Sequence, residues 1–286
     1  MYYVNGTWCE HDIPAIQPED RGYQFGDGIY EVVRIYRGKL FLWEEHLSRL
    51  VRSSKELSLT LPHSPDELMS IVHMLISKSS LGERDDAILY LQITRGVAPR
   101  QFEFPTVDTK PTITAYVSKK ARPLSQFQRG IKAITANDIR WLRCDIKSLN
   151  LLGAVMAKQQ AKEQGADDAI MHRDGIVTEG SSSNVFVVKD GTLYTHPETN
   201  LILHGITRKT VLQLAATLQI PVQETAFNLE FLRAADEVFI TATTSEITPV
   251  VLLDGQPVAN GEAGSVVKQL QFAYTQYVQS VCGTFV

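Results

Sequence analysis

Five dipeptides ending in glycine punctuate this chain: Asn5-Gly6, Arg37-Gly38, Asp174-Gly175, Asp190-Gly191 and Asp254-Gly255. Each stands between strand-forming runs, and such pairs favour two-residue turns whose twist matches the strands they join. They predict hairpins at 2–8, 29–43, 169–178, 185–195 and 250–258, and therefore much antiparallel sheet. Residues 88–94, 112–117, 131–136 and 238–241 read as further strands. Between the hairpins lie helical spacings. Leu47, Leu50, Val51 and Leu57 predict a helix over 44–57, and Leu68, Ile71, Val72, Leu75 and Ile76 one over 65–78. Val211, Leu214, Ala215 and Leu218 mark a third helix after Thr207. Val267, Leu270 and Tyr274 mark the last, over 264–281. The run 21–30, with three glycines in seven residues, demands a tight, irregular backbone.

At 286 residues the chain is near the limit of one core. The polar, proline-containing stretch 119–125 suggests a boundary. We expect a smaller α+β domain over 1–120 and a larger, cofactor-binding domain over 121–286. A net charge of -4 and the lack of a Lys/Arg run speak against a nucleic-acid partner. Three cysteines, Cys9, Cys144 and Cys282, are odd in number, far apart and in no metal-ligand spacing, which suggests a reduced, cytoplasmic setting and no metal. No signal pattern or membrane-length apolar run is read, so no membrane partner is expected.

Chemistry concentrates in a few places. Residues 140–147 form a polar approach ending at Lys147, and Leu149, Leu152, Val155 and Met156 behind it predict a helix to about residue 162. An ammonium at such an apolar helix entrance is costly to desolvate, which favours the nucleophilic amine and an imine with a carbonyl cofactor. The alternative is an ordinary surface lysine. In the cluster 178–184, Glu179 can pair with a protonated ring nitrogen, or the segment is simply a polar turn. Gly205-Ile206-Thr207 opens a helix, where free N–H groups suit a phosphate, or Thr207 merely caps it. Thr243, Thr244 and Ser245 can finish a phosphate cup or cap a turn. Arg100, on the loop 95–105, can clamp a carboxylate or stand in solvent. Together these features fit pyridoxal 5'-phosphate better than a nucleotide, since no phosphate-cradling Gly-rich motif is present.

Along nearly its whole length the sequence resembles the D-amino-acid aminotransferases of the fold-type IV pyridoxal-phosphate enzymes. The likeness is carried by RGYQFGDGIYEVV at 21–33, LQITRGVAPR at 91–100 and RWLRCDIKSLNLLGAV at 140–155. TEGSSSNVF at 178–186, HGITR at 204–208 and TTSEITPV at 243–250 complete it. It implies a two-lobed α+β fold with the cofactor between the lobes. Lys147 would be the Schiff-base lysine and proton shuttle, and Glu179 the partner of the pyridine nitrogen. Arg49, Ile206, Thr207 and Thr243 would form the phosphate cup, with Tyr30 and Arg100 in a carboxylate trap. In the family the arginine loop comes from a neighbouring subunit, which implies a homodimer. Glu31 and Ser181 lie in matching motifs near the cofactor. The expected reaction is ping-pong transfer from a D-amino acid such as D-alanine to 2-oxoglutarate or a similar 2-oxo acid. Other branches are (R)-selective amine transaminases, branched-chain aminotransferases and aminodeoxychorismate lyases. A rival of another class is a non-catalytic binding module of similar fold. Phe102 stands where the family usually has a histidine, and Ala242 where a serine is common.

Overall fold

The computed structural model describes residues 1–10, 16–82, 84–105 and 108–284. The chain divides into two compact units, Met1–Ala121 with Ile146–Asn150, and Arg122–Asp145 with Leu151–Val286. All five glycine-ended turns have positive φ at both residues, from 47° and 89° at Asn5-Gly6 to 50° and 77° at Asp254-Gly255. This is the left-handed geometry that closes a two-residue hairpin.

In the first unit the elements are β1 (Tyr2–Val4), β2 (Thr7–Cys9), α1 (Arg21–Phe25), β3 (Gly28–Tyr36), β4 (Lys39–Leu40), α2 (Trp43–Glu56), α3 (Pro65–Lys78), β5 (Ala87–Thr94) and β6 (Thr112–Lys119). Its six-stranded sheet, in the order β2-β1-β6-β5-β3-β4, is antiparallel throughout. Alternation along β3 sends Ile29, Val33 and Ile35 into a core with Leu47 and Leu50 of α2 and Leu68, Val72 and Leu75 of α3. A fully buried leucine such as Leu68 stabilises the fold by about 1.5–3 kcal/mol, and truncating it to alanine would cost about 2–5 kcal/mol. Helix α3 begins where the sequence says it should, because Ser64 and Glu67 form a reciprocal capping box and Pro65 occupies the first turn.

The elements of the second unit are α4 (Leu124–Arg129), β7 (Ile131–Asn137), α5 (Leu152–Glu163), β8 (Asp168–Arg173), β9 (Ile176–Gly180), β10 (Asn184–Lys189), β11 (Thr192–Thr195), α6 (Ile206–Thr217), β12 (Val222–Glu224), α7 (Leu229–Arg233), β13 (Glu237–Ala242), β14 (Glu246–Leu253), β15 (Gln256–Pro257) and α8 (Ser265–Cys282). The sheet runs β12-β11-β10-β13-β14-β7-β8-β9, with β15 against β14. Strand β7 is parallel to both β14 and β8, so the segment carrying α5 is a crossover connection. With helices beside an antiparallel sheet in the first unit and a mixed sheet in the second, the class is α+β.

Three expectations change. The glycine-rich run at 21–30 is not irregular throughout. It contains α1, capped by the Asp20 side chain and stopped by Gly26 at φ 68°. The partner strand expected up to Trp43 is only Lys39–Leu40, because Trp43 already begins α2. The helix after Lys147 starts at Leu152, since the N–H of Leu149 is taken by the carbonyl of Gly28. Its buried face is Ala154, Ala157 and Ala161, whereas Leu152, Val155 and Met156 are 72%, 56% and 53% exposed. Among the described residues no helix is long and apolar enough to cross a membrane.

Candidate active site

In the first unit Lys147 lies on an extended strap, not at a helix entrance. The N–H of Tyr30 donates to its carbonyl at 3.1 Å, and its own N–H donates to Ser53 Oγ at 3.3 Å. Ser148 bridges Ile29 and the Leu149 N–H reaches Gly28 O at 3.0 Å. The lysine is thereby pinned along the start of β3. Its Nζ stands 4.2 Å from the Tyr30 ring centroid and meets no hydrogen-bond acceptor among the described residues. Tyr30 begins a row of rings across the sheet, stacked on Tyr90 at 5.9 Å, with Tyr116 a further 5.2 Å on and Tyr2 beyond it. Burial pushes the Tyr90 hydroxyl up to about 12, so Tyr90 itself stays neutral at neutral pH.

Glu31 points to the other face of β3. Arg49 of α2 grips it bidentately, Nε to Oε1 and Nη2 to Oε2, both at 2.8 Å, and His46 Nδ1 lies 2.7 Å from Oε2. Burial works against the Glu31 carboxylate, but the Arg49 charge and these hydrogen bonds carry it down to about 2. Burial also holds the His46 imidazole below its ordinary range, which favours its neutral form. Arg100 is exposed, with its guanidinium 5.0 Å from the Phe25 ring and 6.0 Å from that of Phe102. Phe102 is 83% exposed.

In the second unit the centre is Glu179, at the end of β9 and 4% exposed. Its Oε1 accepts from Arg140 Nη1 at 2.5 Å. Its Oε2 accepts from Asn184 Nδ2 and from the Leu203 N–H, both at 3.0 Å. Arg140 also holds Asp138 through Nε and Nη2 at 2.8 and 2.7 Å. Thr178 Oγ1 donates to Asp138 at 2.9 Å, and Arg173 Nε lies 3.3 Å from it. Burial pushes the Glu179 carboxyl up, while Arg140 and the Leu203 N–H pull it back.

Helix α6 opens beside this group. Its N-cap, Gly205, has no side chain to offer, and the first intrahelical bond is Lys209 N–H to Gly205 O at 2.9 Å. The N–H groups of Ile206, Thr207 and Arg208 therefore head the helix, an arrangement that favours an anion. Only glycine fits at 205, because a Cβ there would run into Asn184 Oδ1. Thr243 sits in the turn between β13 and β14, two residues past Thr241, which is paired with Asn184. Ser181 is committed to Asp168, Oγ to Oδ1 at 2.5 Å. The expected site residues thus fall into two groups. Tyr30, Arg49, Arg100 and Lys147 belong to the first unit, and Glu179, Ile206, Thr207 and Thr243 to the second.

The pattern described as Amino-transferase class IV matches residues 28–253. This chain belongs to the class IV aminotransferases. Curated relatives named D-alanine aminotransferase include one from Bacillus licheniformis, 49% identical over 276 residues, covering 96% of each chain. Another, from Staphylococcus haemolyticus, is 47% identical over 97% of this chain and 98% of its own. Among solved structures, the Escherichia coli branched-chain amino acid aminotransferase matches with a TM-score of 0.90 at 28% identity, over 99% of this chain and 95% of that one. The T.th. branched-chain amino acid aminotransferase, complexed with N-(5'-phosphopyridoxyl)-L-glutamate, matches at 0.88 and 26% identity, over 99% and 94%.

The donor set of this class IV aminotransferase suits such a group: an amine without an acid partner among the described residues, a buried carboxylate and a helix start rich in free N–H. Sequence reasoning gave no role to Asp138, Arg140, Asn184 or the Leu203 N–H. Arg140 and Asn184 stood inside recognised motifs, but Arg140 is 39 residues from Glu179 and no local spacing links them.

Proposed function

We propose that this class IV aminotransferase moves the amino group of a D-amino acid, D-alanine foremost, to a 2-oxo acid such as 2-oxoglutarate. Pyridoxal 5'-phosphate is the cofactor and the order is ping-pong. The identity of 45–49% to D-alanine aminotransferases, against 26–28% to the branched-chain structures, supports the D-amino-acid branch. When bound, pyridoxal phosphate supplies a carbonyl for an amine and a pyridinium ring that draws electrons from the substrate carbon. The observation that carries the reading is Lys147, an amine pinned through its backbone with no carboxylate among the described residues to neutralise it. Its Nζ would hold the cofactor, then take the substrate's alpha proton and return it to the cofactor's carbonyl carbon. Glu179 Oε1 would accept the ring N–H. Ile206 and Thr207 N–H, with Thr243 and Arg49, would bind the phosphate, and Tyr30 and Arg100 the substrate carboxylate.

A homodimer in the cytoplasm is part of the proposal. Exposed Ile139, Leu142, Leu152, Val155 and Met156 in the second unit and Tyr23, Phe102 and Phe104 in the first offer apolar area for a second copy. Among the described residues Cys9, Cys144 and Cys282 form no disulfide, which suits a reducing compartment.

The test is a panel of both enantiomers with 2-oxoglutarate, together with borohydride trapping. D-alanine should turn over, and Lys147→Ala should abolish both turnover and the trapped adduct. Faster turnover of L-valine or of a plain chiral amine would replace this reading with a sister activity. The amine reading draws on Phe102, which removes one charge-assisted contact to the substrate carboxylate. Restoring it with Phe102→His should lower the Michaelis constant for D-alanine by about tenfold or more, equivalent to about 1.5–3 kcal/mol. An unchanged or raised constant would count against that role for Phe102 and against the amine reading drawn from it.

A further inference from the structure

We infer that Arg140 decides on which side of the hydrogen bond between Glu179 and the cofactor ring the shared proton rests. The inference builds on the assignment of Glu179 to the ring nitrogen. A carboxylate offers about four acceptor positions, two on each oxygen. Among the described residues, Asn184 and the Leu203 N–H fill both positions on Oε2, and Arg140 Nη1 fills one on Oε1. One position on Oε1 is left, and it shares its oxygen with the guanidinium. A proton placed there is pulled two ways. Burial favours the neutral carboxylic acid, which would strip the ring nitrogen of its proton. The guanidinium 2.5 Å away favours the carboxylate and returns the proton to nitrogen. Arg140 cannot swing aside, because Asp138 grips its Nε and Nη2 and accepts from its backbone N–H at 3.1 Å.

The surrounding charges set the balance. Asp138 and Arg140 come from the connection between β7 and α5, Arg173 from β8, and Cys144 from the same connection as Arg140. Two carboxylates thus divide one clamped guanidinium, and Arg173 lies 3.3 Å from the same Asp138 oxygen that Arg140 Nη2 holds. Glu179 is left basic enough to hold a ring proton close and not basic enough to keep it. Burial pushes the Cys144 thiol up to about 11, so it adds no charge at neutral pH. Arg140 acts through Glu179 and is a positioning residue.

The experiment is the nitrogen-15 chemical shift of ring-labelled cofactor in the holoenzyme, read beside kcat and KM for D-alanine. In the unsubstituted enzyme the shift should report a protonated nitrogen. Arg140→Met should move it to the neutral value and lower kcat by about 100-fold, with KM changed less than about threefold. Arg140→Lys keeps the charge and should restore the protonated shift and at least a tenth of kcat. Asp138→Asn frees more of the guanidinium for Glu179 and should keep the nitrogen protonated to higher pH, which tests the idea even where Arg140→Met fails to fold. A protonated shift in Arg140→Met would overturn the inference and leave the Glu179 assignment standing. A neutral shift in the unsubstituted enzyme would overturn the assignment itself.

Discussion

Glu31 and Glu179 are the same residue type, both buried, both on strands and both bonded to an arginine, Glu31 with one further partner, His46, and Glu179 with two, Asn184 and the Leu203 N–H. Yet one is driven down to about 2 and the other is pushed up. The difference lies in how much guanidinium each receives. Arg49 gives Glu31 two parallel hydrogen bonds, and the neutral His46 adds a third, so burial is overcome. Arg140 gives Glu179 one nitrogen and spends two on Asp138. Two parallel bonds from one arginine hold a buried carboxylate in its charged form. A divided arginine leaves it responsive to a proton, which is what a partner for a ring nitrogen needs.

This contrast can be broken in three ways. The largest effect is on stability. Glu31→Gln leaves the buried Arg49 charge without its bidentate partner and should cost about 3–5 kcal/mol, read as a fall in the urea midpoint. Glu179→Gln should cost about 1–2 kcal/mol, because Arg140 keeps Asp138. Equal losses would erase the distinction.

Next in size is acid sensitivity. The folded value of Glu31 lies below the unfolded 4.5, so its stabilisation is present above pH 4.5 and fades as the pH falls towards 2. That is about 3 kcal/mol, and Glu31→Gln should flatten this limb of a stability–pH curve. For Glu179 the folded value is raised, so the sign reverses. Its contribution is present below the unfolded value and is lost as the pH rises through the folded one. Glu179→Gln should therefore leave the acid limb no shallower.

The smallest effect is at Asn184. Asn184→Ala removes one donor from Glu179 and should lower stability by about 1 kcal/mol and kcat by about tenfold. A full loss of stability with kcat untouched would make the residue a mere brace for Leu203, whose carbonyl it also bonds at 2.8 Å.

What the sequence made legible was local. The five turns were readable because asparagine, aspartate and glycine tolerate positive φ, and the same logic accepted Arg37 at φ 52° before Gly38. Helix α3 was readable from the apolar spacing of Leu68, Ile71, Val72, Leu75 and Ile76, which placed it at 65–78. The helix after Lys147 was placed too early, since apolar spacing cannot reveal that Leu149 bonds to Gly28, more than a hundred residues away. Nor could it reveal that alanines, not the larger side chains, form the buried face of α5. Lys147, Glu179 and the start of α6 stood out as candidates through motif resemblance. Arg140 and Asp138 were not, because a carboxylate's electrostatic neighbours are set by tertiary packing.

The strap Ile146–Asn150 makes the chain leave its second unit for five residues and then return. A fragment ending at the interlobe linker would lack the segment that satisfies Gly28 O and Tyr30 N–H, leaving an open edge at β3. During synthesis the N-terminal lobe cannot finish until residue 150 has cleared the ribosome. Gene splitting at the linker should yield halves that regain turnover only when mixed, since Lys147, the proposed nucleophile, is encoded in one half and lodged in the other.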